Sequence, residues 1–352
     1  MRLGASNAGR DKITGSCTHG ACWSKTYRAE LGAAVTVPLE IGIVDWRGSA
    51  RLQVVVHDEA GMMRVASASE VRVLLPASVE DAVEMLAPAN GSALPLAGGT
   101  WVMRGAVRGD GFEPVYVLVS RLPELRTIER NDAMLTIGAA VTHQQLADTL
   151  EGDHSFLGLA ASAAKSANPA IRRVATVGGN LATSEFSAGD LVPALIASGS
   201  EVELVGPNGS RTLAIADYLA SRRDFHSGSL ITQIKVPVRD GVSAHERLTL
   251  RKAGDYPVAI VDVYVELDDD GIVRVANVAI GSVESVARSW PTLAARLEGS
   301  ALDPGAAKLA ARELSAELSP RDGTDVSGWY RLKVLPTVVG RAVRALQTMG
   351  VR

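Results

Sequence analysis

The sequence predicts an α+β fold, on three observations. Between residues 71 and 238, short apolar runs of strand length alternate with segments of helical spacing, and they fall into two successive modules. Beyond a polar break at 239–241, three strand-like runs come together and are followed by three helix-like segments, the pattern of a sheet covered by helices. The composition, 47% hydrophobic and 21% charged, is that of a folded chain, and 352 residues suffice for two to three domains of ~150 residues each.

The first 61 residues show no sustained period. They contain both cysteines, Cys17 and Cys22, and two of the tryptophans, Trp23 and Trp46, while Met62-Met63 stands directly before the first regular pattern. The expectation is that 1–61 is an N-terminal extension, disordered or lying ahead of the functional start. In the first module, about 62–127, a strand over 71–75 ends at Pro76. Ser78 caps a helix through Val79, Ala82, Val83 and Leu86, and Asn90-Gly91 turns the chain into a buried strand over 94–97 that empties into Gly98-Gly99. A further strand covers 115–119. In the second module, about 128–238, a strand over 134–137 precedes Thr142-His143-Gln144-Gln145, a capping box opening a helix. The helix over 156–167 is broken by Asn168-Pro169. After a long glycine-containing loop, Asp190 opens another helix, 201–205 and 211–213 form a hairpin about Pro207-Asn208-Gly209, and 230–236 is a strand. The C-terminal domain, 243–350, has strands over 247–251, 259–267 and 272–280, with a turn at 268–271, and helices over 292–297, 304–318 and 327–349. No internal repeat or low-complexity tract occurs.

Charge and cysteine content exclude several function classes. Thirty-six basic against 39 acidic residues leave a formal charge of −3, so there is no global positive field to hold a nucleic acid. The longest apolar runs, 114–119 and 258–267, are too short to span a bilayer, and Asp262 interrupts the second. The start does not read as a secretory signal, and two cysteines build no disulfide framework, so a cytoplasmic setting is expected. Cys17, His19 and Cys22 leave a zinc site one ligand short. The acidic turn at 268–271 lacks the later glutamate of a calcium loop and reads as a hairpin tip. No metal site is expected. His143, His154 and His226 lack the spacing of a nucleophilic triad, and no catalytic residue is expected.

Two glycine pairs carry the chemistry. In Leu96-Ala97-Gly98-Gly99-Thr100-Trp101 a strand empties into glycines whose backbone N–H groups can approach an anion without hindrance from a Cβ, although taken alone the pair reads first as a tight turn needing positive φ. The second pair, in Ala175-Thr176-Val177-Gly178-Gly179-Asn180-Leu181, is flanked by hydroxyl and amide side chains suited to a polyhydroxylated, phosphorylated ligand. Two such loops on adjacent modules point to a cofactor between them. No Gly-x-Gly-x-x-Gly follows a strand and no Gly-x-x-x-x-Gly-Lys occurs, which disfavours a Rossmann domain and a P-loop.

Taken with 122–125, 135–142, 187–191, 231–237, Arg251-Lys252-Ala253-Gly254-Asp255-Tyr256 and Trp329-Tyr330-Arg331, the stretch 171–181 makes the chain resemble the FAD-binding medium subunit of the molybdenum hydroxylases, the carbon monoxide dehydrogenase and xanthine dehydrogenase family. The resemblance covers roughly 63–349. It implies a two-module FAD-binding domain of the PCMH type followed by a C-terminal sheet-plus-helices domain, with FAD in the cleft. It also implies an oxidoreductase working in a hetero-oligomer, with a 2Fe-2S small subunit and a molybdenum-cofactor large subunit as partners. A self-sufficient flavin oxidoreductase of the same fold, with its own substrate pocket, is the alternative.

Carried over residue by residue, the resemblance has Leu96, Ala97, Gly98, Gly99, Thr100, Trp101 and Val102 wrapping the pyrophosphate and approaching the flavin. Ala175, Thr176, Gly178, Gly179, Asn180 and Thr183 would bind the pyrophosphate and ribityl side, with Asp190 accepting from ribityl hydroxyls. Leu230 and Ile231 would touch the flavin or adenine, and Arg247 and Asp255 the polar edge of the ring. The segment from Asn180 to Asp190 is one residue longer than the family pattern, with Glu185-Phe186 in place of a proline-containing turn, and Arg173 replaces a common asparagine. For several of these residues a purely structural role stands beside the functional one. Asp190 fits a helix N-cap, Arg172 and Arg173 a solvated basic pair, and Arg247 with Asp255 a cross-strand ion pair.

Overall fold

The computed structural model describes residues 23–31, 35–43, 49–54, 56–57, 63–64, 71–87, 93–105, 111–225, 228–250, 256–323 and 326–349, with backbone alone before residue 71 and at 224–225. Cys17, Cys22, Asn90-Gly91, His226 and Asp255 lie outside these residues.

Among the described residues, three larger sheets follow one another along the chain, with a separate two-stranded one. The first has six strands in the order β1 (Trp23–Leu31), β2 (Val35–Ile43), β3 (Ser49–Val54), β6 (Val71–Leu74), β8 (Val115–Leu118) and β7 (Ala93–Leu96). Two short strands, β4 (Val56–His57) and β5 (Met63–Arg64), pair with each other. β8 is parallel to both of its neighbours, β6 and β7, which requires crossovers, and the helix Val79–Leu86 supplies the first. Ser78 caps that helix as expected, its hydroxyl accepting from the Asp81 N–H at 3.2 Å. The strands β1, β2 and β3 occupy a segment for which the sequence pattern predicts no element. They form an antiparallel meander, and β3 joins it to the sheet edge at β6.

The second sheet, in the order β12 (Gly209–Ala214), β11 (Glu201–Gly206), β13 (Leu230–Pro237), β10 (Met134–Gly138) and β9 (Ile128–Arg130), is antiparallel throughout. The expected hairpin closes with Gly206 opposite Gly209, which takes φ +100°. The Thr142–Gln145 capping box opens the helix His143–Thr149, with the Thr142 N–H returning to Gln145 Oε1 at 3.0 Å.

In the third sheet, β14 (Val242–Thr249), β15 (Pro257–Leu267), β16 (Val273–Gly281) and β17 (Arg288–Ser289) run antiparallel. Nine consecutive residues of β15 are buried, because helices cover both faces. Val261, Val263 and Val265 pack with the long C-terminal helix Gly328–Met349, and the helices Leu157–Lys165 and Leu191–Ala197 lie against β14, β15 and β16. This double burial explains why the run is apolar without alternation, each fully buried Val or Ile contributing about 1.5–3 kcal/mol. Arg331 ties the same helix to the sheet, donating to the carbonyls of Val258 at 2.8 Å and Ser282 at 3.0 Å.

The second module and the C-terminal domain meet closely. Gly281 lies against Pro193, which a Cβ would approach to 2.5 Å; the Gly158 N–H donates to Ser243 Oγ at 2.9 Å, and Asn277 Nδ2 to the Ala197 carbonyl at 3.1 Å. These contacts bring Asp190, at the head of Leu191–Ala197, against β14.

Candidate functional site

The two glycine pairs touch. A Cβ on Gly98 would stand 1.8 Å from the Val174 carbonyl oxygen, so only glycine lets the loop after β7 reach the backbone leading into the second pair. Gly99 takes φ +67°, the left-handed conformation that curls the chain so that successive amides converge. Among the described residues, the N–H groups of Gly98, Gly99 and Thr100 find no protein acceptor, whereas the Gly99 carbonyl receives the Met103 N–H at 2.8 Å. This loop is a concave set of unspent donors.

The second pair differs from its sequence reading. It is the start of a helix, Val177–Ala182, capped by Thr176, and not a loop. Its amides are spent within the protein: Val177 N–H on Val141 O at 2.9 Å, Gly178 N–H on Ala139 O at 2.8 Å, and Gly179 N–H on Thr176 Oγ1 at 3.1 Å. Gly178 serves close packing, since its Cβ would meet that of Ala139 at 2.7 Å. Gly179 faces the opposite situation, with only Thr176 Oγ1 at 2.8 Å and otherwise open space. What this segment offers a ligand is therefore side-chain and surface, chiefly Asn180, whose buried Oδ1 has no hydrogen-bond partner. Thr183 Oγ1 is engaged at 2.7 Å with the Gly179 carbonyl.

A cavity of about 660 Å³ opens between these loops. It is lined by Leu96, Ala97, Gly98, Gly99, Thr100, Trp101 and Val102, by Ala175, Thr176, Gly178, Gly179, Asn180 and Thr183, and by Asp190, Leu230, Ile231 and Arg247. Every expected site residue that the structure describes thus borders one cleft. Arg172, expected as a solvated pair with Arg173, instead donates to the carbonyls of Ser166 at 3.0 Å and Ala167 at 3.1 Å, while Arg173 is exposed.

Asp190 does not cap its helix: it has helical dihedrals and makes no side-chain cap bond. Its carboxylate is turned toward Arg247, with Oδ1 3.1 Å from Nε, and Arg247 Nη1 also donates to the Lys165 carbonyl. His245 lies on the same side, its Nε2 4.0 Å from Asp190 Oδ1 and its Nδ1 3.1 Å from both oxygens of Asp262. Burial pushes the Asp190 carboxyl up to about 6 against the pull of Arg247 and His245, and burial likewise raises Asp262.

Sequence reasoning missed several residues here. Beside the expected Trp101, Phe186 and Tyr256 line the cleft, the three rings packing tilted and edge-on in series with centroids 5.1 and 5.2 Å apart, and Arg104 lies over the Tyr256 ring at 5.0 Å. His143 borders the cleft with Nδ1 2.7 Å from Ser166 Oγ, and burial, helped by Arg172, lowers its titration to about 4, so its ring is neutral at pH 7. His245 went unread, although an Asp inside an apolar strand was a signal for a buried polar partner. Among the described residues no group of three or more His, Cys, Asp or Glu is placed to hold a metal ion, and no helix is long and apolar enough to cross a membrane.

Comparison with known proteins places this geometry. Residues 69–239 match the family described as the FAD binding domain in molybdopterin dehydrogenase, and 246–346 match the CO dehydrogenase flavoprotein C-terminal domain. The carbon monoxide dehydrogenase medium chain of Afipia carboxidovorans is 30% identical over 285 residues, which span 76% of this chain and 93% of that protein. The glyceraldehyde dehydrogenase medium chain of Sulfolobus acidocaldarius is 27% identical over 273 residues, 76% of this chain and 95% of the relative. A crystal structure of Cu,Mo-CO dehydrogenase in a cyanide-inactivated form superposes with a TM-score of 0.70 at 27% identity, covering 79% of this chain and 97% of its own.

Proposed function

This chain belongs to the FAD-binding subunits of the molybdenum-containing dehydrogenases, the family of the carbon monoxide dehydrogenase medium chain, and from that membership we propose that it is the electron-transfer subunit of a hetero-oligomeric complex. In this reading electrons released at a molybdenum-cofactor large subunit pass through a 2Fe-2S small subunit to the FAD held here, and from it to an external acceptor. The unit that holds FAD is assigned to 62–238 and the C-terminal domain to 243–350, boundaries supported by the matches at 69–239 and 246–346.

The residues present fit FAD. The observation that carries the reading is the set of unspent amides at Gly98, Gly99 and Thr100, with Gly99 left-handed, at the wall of a cavity whose 660 Å³ suits a cofactor-sized ligand. An anionic pyrophosphate supplies the acceptors those donors lack, each charge-assisted bond being worth about 1.5–3 kcal/mol. Asn180 Oδ1 gives a buried acceptor for a ligand hydroxyl or N–H, and Asp190 a second acceptor beside it. Leu230 and Ile231, projecting from the start of β13, make an apolar wall. Trp101, Phe186 and Tyr256 add an aromatic wall to the cleft.

When bound, FAD supplies the one- and two-electron redox chemistry. The chain's own task is to bind, orient and shield it. Purification with co-expressed partners, followed by an absorption spectrum and metal analysis, tests the reading. About one FAD per chain, released by acid precipitation, and iron and molybdenum confined to the partners are expected. A colourless chain that FAD does not reconstitute overturns it.

A further inference from the structure

β14 carries His245 and Arg247 two residues apart, on one face of the sheet, and His245 is the direct cross-strand partner of Asp262 on β15. That face meets Asp190 at the head of Leu191–Ala197. Two carboxylates, one guanidinium and one imidazole are thereby enclosed together: the side chains of His245, Asp262, Asp190 and Arg247 are 0, 3, 6 and 11% exposed. With a neutral imidazole this cluster carries one net negative charge in a low-dielectric setting; one added proton makes it neutral. Lys165, Glu246 and Arg239 are the other charged groups nearby, and the first two pair with each other. Lys165, from the helix packed on β14, donates to the His245 carbonyl at 3.1 Å and lies 3.4 Å from Glu246.

The two ends of the cluster face different spaces. Asp190 borders the 660 Å³ cleft, whereas Asp262 borders a separate cavity of about 20 Å³, room for a single water, which Ser155, Ser243 and Arg239 also line. His245 stands between them, with Nδ1 engaged by Asp262 and Nε2 facing Asp190 Oδ1; both of these latter atoms are buried without a hydrogen-bond partner. The Asp262 side of the imidazole thus borders a water-sized space that is separate from the cleft.

We propose that His245 is a positioning residue for the cofactor cleft: seated between two buried carboxylates, it keeps Asp190 an ionised acceptor facing FAD and so sets the pH below which FAD binding by this chain becomes proton-linked. The proposal rests on the reading of Asp190 as a FAD contact. The balance is simple: where Asp190 is protonated, FAD binding releases that proton to water. Burial raises Asp190 and Asp262, and the His245 and Arg247 charges oppose this at Asp190, so loss of His245 moves Asp190 further up.

The test is calorimetric titration of the deflavinated full chain with FAD, from about pH 5.5 to about pH 8, in two buffers of different ionisation enthalpy. FAD itself has no group titrating in that range. For the unaltered chain, affinity should fall towards tenfold per pH unit below a midpoint, with release approaching one proton per FAD there and none well above it. In His245→Gln the midpoint should rise by about one pH unit or more, with affinity near pH 8 closest to that of the unaltered chain. Asp190→Asn should bind more weakly and lose the pH dependence. A His245→Gln profile that superimposes on the unaltered one overturns the proposal while leaving the Asp190 reading intact. Undiminished affinity in Asp190→Asn overturns that reading instead. Absence of proton exchange at every pH in the unaltered chain overturns the proposal even if His245→Gln fails to fold.

Discussion

Replacing Gly179 by valine separates a ligand contact from a folding element. A Cβ there meets only the Thr176 hydroxyl oxygen, at 2.8 Å, and the residue borders the cleft, so the added methyls extend into the cofactor space and not into packed protein. The folding cost is small and has two parts. Crowding Thr176 weakens its cap on the Gly179 N–H, worth about 1 kcal/mol, while a β-branched residue in place of glycine in a helix returns a few tenths. A net loss below ~2 kcal/mol leaves the chain folded. FAD, by contrast, meets two methyl groups where it had open space, and an affinity loss of at least ~100-fold, about 2.7 kcal/mol, is expected. Far-UV circular dichroism and a thermal melt measure the first quantity, and flavin absorbance per chain after gel filtration the second. Near-native folding with flavin lost supports the reasoning. Full FAD occupancy refutes it and makes Gly179 an ordinary helix glycine.

Gly98→Ala should be more damaging to fold and flavin together, because relieving 1.8 Å to the ~3.0 Å floor of real Cβ contacts moves backbone, with overpacking costing about 1–3 kcal/mol or more; a melt within 1 °C of the unaltered protein counts against this. His143, neutral and buried, has a folded-state titration near 4, below the ordinary histidine value of about 6.5, so its contribution is complete above pH 6.5 and is lost as pH falls through about 4, on the order of 3 kcal/mol. His143→Gln should therefore lose less stability than the unaltered chain between pH 7 and pH 4 in urea unfolding, and equal losses contradict the assignment. A chain starting at Met63 should fold and bind FAD; insolubility, or loss of flavin or partners, makes the preceding segment a necessary element.

Local chemistry was legible in the sequence wherever neighbours in the chain decide the outcome. Ser78, the Thr142–Gln145 box and the Gly206–Gly209 hairpin all form where their residue types call for them. The cleft was legible through the pairing of two glycine loops on adjacent modules and through the family resemblance of 171–181, each loop alone being a weak signal. The helix Val177–Ala182 was not, because six residues with two glycines carry no helical period, and its stability comes from Thr176 and from Ala139 and Val141 across the module. The same limit hid the spent amide of Gly178, whose acceptor, the Ala139 carbonyl, lies in the turn after β10, far away along the chain. Of the two roles open to Asp190, helix cap and ligand contact, the sequence could not choose, because its partners Arg247 and His245 belong to another domain and are brought to it by packing against β14. Asp262 stood out in an apolar strand, but only the β14–β15 register sets it opposite His245.

The most direct test of the electron-relay reading is anaerobic stopped-flow absorbance of the flavin in this chain, first alone and then with its iron–sulfur and molybdenum partners. The account predicts that organic hydroxylation substrates leave the flavin of the isolated chain oxidised, apart from slow reaction with NADH or dyes, and that adding both partners produces substrate-dependent bleaching. Turnover of a specific small molecule by the isolated chain at an ordinary enzyme rate, of order ~10 s⁻¹, would contradict it and make this chain a self-sufficient flavin oxidoreductase.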